Sequence, residues 1–212
     1  MSDEFDSNQY WRDRHEKFRD NSQGVGNVSF TQEENDEVYQ RARARMSSIV
    51  DVLGVAGFSS VLDLGCGIGK ITPVFIERGM NYVGVDISEV AVELAAASNP
   101  KGSFLCEDIS ELSLEEQFAL VLERTVFIHL VEDQKWRSAL SVVKQHLATD
   151  GVFLVQDKIP EKDEVPAAHV LFRSVDRWRE GLLDVGLTFD TILETKIREQ
   201  LPNENIHPIV HA

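Results

Sequence analysis

Three glycines alternate in the stretch SSVLDLGCGIGK, directly behind a short apolar run. Glycine tolerates positive φ and has no side chain, so the backbone at Gly65, Gly67 and Gly69 can turn sharply and approach a ligand closely. Such a turn between a strand and a helix is typical of nucleotide sites. Gly-rich turns also pack a strand against a helix without binding anything, so the glycines alone leave both interpretations open.

Two carboxylates narrow the class of ligand. Asp86 ends a second apolar run, YVGVD, and an acid at that place suits the two hydroxyls of a ribose. Asp63 precedes the glycine turn by two residues and would repel a pyrophosphate at the start of the next helix. The spacing G-x-G-x-G, with Lys70 in place of the last glycine of the dinucleotide motif, also argues against a pyrophosphate. The pattern favours a ribonucleoside that carries a cationic amino-acid tail.

The elements that must position these residues alternate along the chain. Five short apolar runs predict buried strands: SVLDLG, NYVGVD, GSFLCED, FALVLE and GVFLVQD. Helical spacing lies between them, in residues 70–78, VAVELAAAS and QKWRSALSVVKQHL. Strands that alternate with helices predict a doubly wound parallel sheet, with ligands at the carboxyl ends of its strands.

The two ends of the chain depart from this alternation. Residues 1–46 are polar with scattered aromatic side chains, and a charged helix is predicted over residues 31–50. We expect this segment to form an N-terminal helical lid. At the other end, TFDTILETKI and IHPIVHA predict two strands that close the chain as an antiparallel hairpin.

Composition excludes several classes of protein. The 212 residues suit one α/β domain, and the formal net charge of −15 argues against a general affinity for nucleic acid. Two cysteines provide neither a disulfide framework nor a metal cluster, which indicates a reducing compartment. The acidic N-terminus is no signal peptide, and no apolar run reaches membrane-spanning length. We therefore predict a cytoplasmic protein with no metal, membrane or nucleic-acid partner.

Four motifs in series resemble those of class I S-adenosylmethionine-dependent methyltransferases, in the same order and at normal spacing: VLDLGCGIGK, YVGVDIS, FLCEDI and FALVLERTVFIHL. The resemblance covers roughly residues 45 to 200, and residues 47–212 are the predicted methyltransferase domain. It implies a Rossmann-like, mostly parallel seven-stranded sheet with an antiparallel last strand. It also implies S-adenosylmethionine as cofactor and S-adenosylhomocysteine as product.

The resemblance further implies roles for the residues at matching positions. The methionine moiety would lie against Asp63, Gly65, Cys66 and Gly67, and the ribose and adenine against Asp86, Ile87, Asp108 and Ile109. A turn-forming or helix-capping role for Asp108 stays open. In the lid, Trp11 would close over the cofactor, and Tyr10 and Phe30 over the acceptor, unless these aromatic residues only dock the segment.

Methyl transfer needs alignment of nucleophile, methyl and sulfur, and a base where the acceptor must lose a proton. At the end of the fourth strand His129 is a candidate base, because histidine titrates near neutral pH, although a packing role is equally open. Glu123 is assigned to the positioning of cofactor or acceptor, and Arg124 either clamps an acidic acceptor or is solvated. Three further candidates on the acceptor side are Asp157, His169 and Arg173.

These residues predict a methyltransferase that acts on an oxygen or nitrogen of a small-molecule acceptor, as a monomer or homodimer. The position of Glu123 lacks the Asn/Asp-Pro-Pro-aromatic motif of amino-group methyltransferases, which disfavours adenine and glutamine as acceptors. Two alternatives remain. A nicotinamide-dependent oxidoreductase is disfavoured by Asp63 and the glycine spacing, and a catalytically silent binding or scaffold protein is disfavoured by the intact cofactor motifs.

Overall fold

The computed structural model describes residues 6–19, 21–54, 59–202 and 205–212. Its helices are α1 (Ser7–Phe18), α2 (Gln32–Val52), α3 (Pro73–Ile76), α4 (Glu89–Ser98), α5 (Asp133–His146), α6 (Val175–Asp184) and α7 (Thr191–Gln200). Its strands are β1 (Ser60–Leu64), β2 (Asn81–Asp86), β3 (Ser103–Cys106), β4 (Phe118–Arg124), β5 (Leu147–Gln156), β6 (Glu164–Ala167), β7 (Val170–Phe172), β8 (Leu187–Phe189) and β9 (His207–His211). Short 3₁₀ helices lie at Ser22–Gly24 and Phe127–His129.

Seven of these strands form one sheet in the order β3-β2-β1-β4-β5-β9-β8. Strands β1, β2 and β3 pair in parallel, as do β4 and β5, whereas β9 runs antiparallel to both of its neighbours. The predicted Rossmann-like sheet with a reversed last strand is therefore confirmed. Strands β6 and β7 form a separate antiparallel pair that the sequence analysis does not predict.

The chain divides into two compact units. The N-terminal unit is Asn8–Asp108, and the C-terminal unit is Ile109–Ala212 together with the described residues that precede Asn8. In the N-terminal unit the predicted charged helix is present as α2, which starts at a capping box between Thr31 and Glu34. The predicted domain boundary after residue 46 falls inside α2, and that division stays a prediction.

The core of the C-terminal unit is built on the apolar stripe of α5. Trp136, Leu140 and Val143 recur at helical spacing and are at most 1% exposed, as the pattern predicts. Trp136 meets Trp178 of α6 edge to face, with ring centroids 5.3 Å apart. Within the described ranges, no helix has the length and apolarity that crossing a membrane requires.

Two predicted elements are wrong in extent. Only the first residues of TFDTILETKI are extended, in β8, and the rest forms α7. The side chain of Asp190 accepts hydrogen bonds from the N–H groups of Ile192 and Leu193, and this N-cap outweighs the strand propensity of the β-branched residues. Strands β8 and β9 pair antiparallel but are joined through a helix and not by a hairpin.

The helix predicted over residues 70–78 is shortened to α3. Gly69 has φ +71°, so the chain leaves the glycine turn in a conformation that cannot continue directly into a helix. The helix starts only at Pro73, whose missing N–H costs nothing at a first helical position.

Candidate functional site

The glycine turn follows β1 in the N-terminal unit, and its conformation requires glycine. Gly65, Gly67 and Gly69 have φ of +80°, +53° and +71°. A Cβ on Gly67 would lie 2.8 Å from a methyl carbon of Val25, closer than atoms can pack. The N–H groups of Gly65 and Cys66 donate to the carbonyl oxygen of Val85 at 2.8 and 3.0 Å, which ties the turn to β2. The turn is therefore a fixed feature at the carboxyl ends of two neighbouring strands.

Asp86 ends β2 and joins the glycine turn directly. Its Oδ2 accepts a hydrogen bond from the N–H of Gly67 at 2.9 Å, and its Oδ1 accepts one from the N–H of Ser88 at 3.0 Å. The side chain is buried, and burial raises the pKa of Asp86 while the nearby His15 opposes that shift. Of the predicted site residues, the structure thus brings Gly67 and Asp86 into contact.

Asp63 lies buried inside β1, two residues before the turn. Its Oδ2 accepts a hydrogen bond of 2.6 Å from the hydroxyl of Tyr82 on β2. Burial, and then the charge of Asp63, raise the pKa of the Tyr82 phenol well above its usual value, so the phenol stays a donor. Cys66 is buried beside these groups, and burial raises the pKa of its thiol.

Helix α1 contacts the residues to which the sequence analysis assigns the nucleoside. The side-chain amide of Asn8 donates to Asp108 at 2.7 Å, and Nε of Arg12 donates to the carbonyl oxygen of Ile87 at 3.3 Å. These contacts lie within the N-terminal unit and place one face of α1 against this group of residues.

The third contact of α1 is made by His15, whose Nδ1 lies 3.8 Å from Oδ1 of Asp86. His15 is 2% exposed, and neither ring nitrogen has a hydrogen-bond partner among the described residues. Burial lowers the pKa of His15, which Asp86 partly offsets. The sequence alone does not identify these three contacts of α1, which are made by Asn8, Arg12 and His15. Their spacing of i, i+4 and i+7 nevertheless places them on one face of a helix.

The predicted lid aromatics occupy different environments. The ring of Trp11 lies 5.7 Å from the His15 ring and 5.3 Å from the Tyr10 ring, measured between centroids. The guanidinium of Arg14 stacks 4.9 Å from the Trp11 centroid and also donates to the Tyr10 hydroxyl. Phe30 lies outside this cluster on the loop before α2, with 39% of its surface exposed.

In the C-terminal unit, Glu123 sits near the end of β4 and holds the turn that follows. Its side chain is fully buried, and its Oε2 accepts hydrogen bonds of 3.1 Å from the N–H groups of Val126 and Phe127. Between Glu123 and Val126, Thr125 has φ +56°, an uncommon and strained conformation for a β-branched residue. Arg124 is half-buried at the end of the strand.

The turn ends at His129, which the structure brings together with His169. Nδ1 of His129 lies 2.7 Å from the carbonyl oxygen of His169, and the two rings stack 5.7 Å apart with 8° between their planes. Asp157, which directly follows β5, lies within hydrogen-bonding reach of the Glu123 carboxyl group. Asp157 is a candidate from the sequence, but nothing in the sequence pairs it with Glu123.

Arg173 is 2% exposed, and its ion pair holds a loop in place. Its Nη2 donates to the carbonyl oxygens of Leu130 and Val131 and to Asp133 at 2.7, 3.2 and 3.0 Å. The guanidinium also stacks 4.8 Å from the centroid of Trp136.

Ile109, the first residue of the C-terminal unit, is buried. The roles predicted for these residues stay predictions.

Residues 61–151 match the sequence model of a methyltransferase domain. A malonyl-[acyl-carrier protein] O-methyltransferase of Bacillus cereus is 33% identical over 98 residues, which cover 44% of this chain and 35% of that protein. A trans-aconitate 2-methyltransferase of Enterobacter sp. is 30% identical over 146 residues, 65% of this chain and 56% of that protein. The chain thus spans between about a third and little more than half of the length of these relatives.

A solved structure extends the fold comparison to the full chain. The magnesium protoporphyrin IX methyltransferase of Synechocystis PCC 6803, with bound S-adenosylmethionine, superposes with a TM-score of 0.66 at 18% identity and full coverage of both chains. The sheet order and the glycine turn define the Rossmann-like methyltransferase fold. Together with the matching domain over residues 61–151, this fold resembles that of the class I S-adenosylmethionine-dependent methyltransferases.

The N-terminal unit has donor and acceptor groups that fit the cofactor of this family. A carboxylate can accept about four hydrogen bonds. Asp86 accepts two from the backbone and so retains capacity for ribose hydroxyls. Gly67 has a positive φ, and a Cβ there would meet Val25, so the turn requires glycine at this position.

Proposed function

We propose that this protein transfers a methyl group from S-adenosylmethionine to an oxygen or nitrogen of a small-molecule acceptor. The observation that carries the proposal is the hydrogen bond between the Gly67 N–H and Asp86, inside the segment that matches the methyltransferase domain. It joins the two features, a glycine turn and a ribose acid, that a nucleoside cofactor needs side by side. We also propose a cytoplasmic protein that is a monomer or homodimer.

The cofactor would be held by residues of distinct chemistry. Asp86 would accept from the ribose hydroxyls, Asp108 from the adenine amino group, and Asp63, directly or through water, from the amino group of the methionine tail. The remaining proposed cofactor contacts are Gly65, Cys66, Gly67, Ile87, Ile109, Glu123 and Trp11. When bound, the sulfonium supplies an already activated methyl group, so the protein's main task is alignment.

His129 is the proposed base for an acceptor that must lose a proton. Because a carbonyl oxygen can only accept, the short contact with His169 assigns the proton of the imidazole to Nδ1. Nε2 then has the lone pair that takes up a proton, and the backbone contact fixes the orientation of the ring. General-base assistance of this kind contributes about 10²–10⁴-fold to a rate.

The acceptor side is proposed from the remaining charged and aromatic residues. Arg124, His169 and Arg173, with Tyr10 and Phe30 of the N-terminal segment, are the proposed acceptor contacts. The name of the Bacillus cereus relative, an O-methyltransferase, supports an oxygen as the methylated atom, and the name of the Enterobacter relative, a trans-aconitate 2-methyltransferase, supports an acidic metabolite as acceptor. A carboxylate or hydroxyl metabolite is therefore the first class to test.

The test is a transfer assay with methyl-labelled S-adenosylmethionine and panels of carboxylate, hydroxyl and amine metabolites. We expect label in an acceptor of one panel, with release of S-adenosylhomocysteine. Cofactor binding without transfer to any panel would favour the silent binding protein. Absence of cofactor binding would contradict the proposal as a whole.

A further inference from the structure

Two buried carboxyl groups meet where β4 and β5 end. Glu123 is 0% and Asp157 2% exposed, and their carboxyl groups lie within hydrogen-bonding reach of each other. Among the described residues, no group makes a well-aligned hydrogen bond to Oε1 of Glu123 or to either oxygen of Asp157. The backbone N–H groups of Thr125 and Ile128 approach Asp157 as weak hydrogen-bond donors, and that of Gln156 approaches Glu123. One proton shared between the two groups would join Oε1 of Glu123 to one oxygen of Asp157.

Two buried carboxylates in contact repel each other when both are charged, so the pair retains its last proton to a higher pH than an isolated carboxyl group would. Oε2 of Glu123 already accepts from two backbone N–H groups, which favours the charged form of that residue. The proton accordingly belongs on Asp157, which donates it to Oε1 of Glu123. Burial raises the pKa of Asp157 well above its usual value, and the charge of Glu123 adds to this; burial also raises the pKa of Glu123 to about 7.

The other charged groups around Asp157 come from three directions. Lys158 and Arg173 line the same narrow crevice as Asp157, and His207 of β9 lies against the backbone of Asp157. The charge of Arg173 is compensated by its ion pair with Asp133. Lys158 forms its own ion pair with Glu164. The nearest compensation for the charge of Glu123 is thus the proton on Asp157 and the two backbone amides.

This proton bears on catalysis because Glu123 holds a strained turn. The N–H groups of Val126 and Phe127 bind Glu123, Thr125 has φ +56°, and the turn runs directly into His129. Strained backbone at a functional site persists only where its surroundings fix it. We propose that Asp157 is a positioning residue for methyl transfer: its proton, donated to Glu123, holds the turn that orients His129. The catalytic part of this inference rests on the proposed function.

The first test needs no acceptor and measures the turn itself. In wild type, the hydrogen-exchange protection factors of the Val126 and Phe127 amides should fall as the pH is raised into the alkaline range and the pair loses its last proton. In Asp157→Asn, the side-chain amide donates to Glu123 at every pH, so protection should stay constant. Asp176→Asn, an exposed acid on α6, should keep the wild-type profile.

The second test measures turnover with an acceptor from the labelled panels. Asp157→Ala should lower kcat by about 10²-fold, the cost of a misplaced catalytic group, with the Kd for S-adenosylhomocysteine unchanged. Asp157→Asn should restore kcat to near the wild-type value and remove its decline at high pH. The comparison of wild type with Asp157→Asn suffices if the alanine variant does not fold.

Two results would overturn the inference: protection at Val126 and Phe127 that is independent of pH in wild type, or an asparagine variant that loses protection as the alanine variant does. A failure of the proposed function looks different. In that case the wild-type protein transfers no label, while the exchange experiment still reports on the carboxyl pair.

Discussion

Replacement of Asp86 by alanine is the most direct perturbation of the proposed cofactor site. The carboxylate accepts from the N–H groups of Gly67 and Ser88 and retains acceptor capacity for ribose hydroxyls. Its removal leaves the hydroxyls of a bound ribose without their acceptor, at a cost of about 1–3 kcal/mol. That cost corresponds to about a 5- to 150-fold increase in the Kd for S-adenosylhomocysteine. The two backbone amides also lose their acceptor, so the variant should unfold at a lower temperature than wild type.

The assay is isothermal titration of the variant with S-adenosylhomocysteine, well below its melting temperature. Circular dichroism at the same temperature establishes that the variant is folded. Glu93→Ala removes an exposed carboxylate from α4 in the same unit and should bind as wild type does. A folded Asp86→Ala protein with an unchanged Kd would refute the assignment of Asp86 to the ribose.

Three further predictions concern the lid, the base and the carboxyl pair. Hydrogen exchange in α1 should slow when S-adenosylhomocysteine is added, because a closed lid is protected, whereas equal protection with and without ligand would make α1 a fixed element. His129→Ala should lower kcat by about 10²–10⁴-fold at a nearly unchanged Kd for S-adenosylhomocysteine; a variant that loses stability but keeps its turnover would assign His129 to packing. The pKa of Glu123 is raised on folding, so its contribution to stability is present below about pH 4.5 and is lost as the pH rises through about 7. Urea titrations at pH 5, 6 and 7 should therefore show that the unfolding free energy of wild type falls, relative to that of Glu123→Gln, by up to about 1.4 kcal/mol per pH unit. If the unfolding free energies of the two proteins changed with pH in parallel, this prediction would be contradicted.

The sequence predicts the parts of the fold that depend on local pattern. The strand before Gly65, the acid at the end of β2 and the stripe of Trp136 on α5 follow from short-range spacing, and the structure has all three. The predictions from the sequence are wrong where a local signal, such as a helix cap, competes with the secondary-structure propensity of the residues. The cap at Asp190 turns a β-branched segment into α7, and Pro73 delays the start of α3.

Contacts between distant residues could not be predicted from one sequence. His15 and Asp86 are 71 positions apart, and nothing local indicates that a polar N-terminal helix would bury a histidine beside Asp86. Likewise, Glu123 and Asp157 meet only because β4 and β5 are neighbours in register, Arg124 opposite Gln156. The sequence shows each acid at a strand end, but only the structure shows that the two share a buried environment.

The central claim is that the glycine turn and Asp86 serve S-adenosylmethionine and not a dinucleotide. Calorimetric titration of the wild-type protein with S-adenosylhomocysteine, and separately with NAD and NADP, tests it most directly. We predict saturable binding of S-adenosylhomocysteine and no binding of either dinucleotide, because Asp63 repels a pyrophosphate at the glycine turn. Binding of a dinucleotide without binding of S-adenosylhomocysteine would contradict the account.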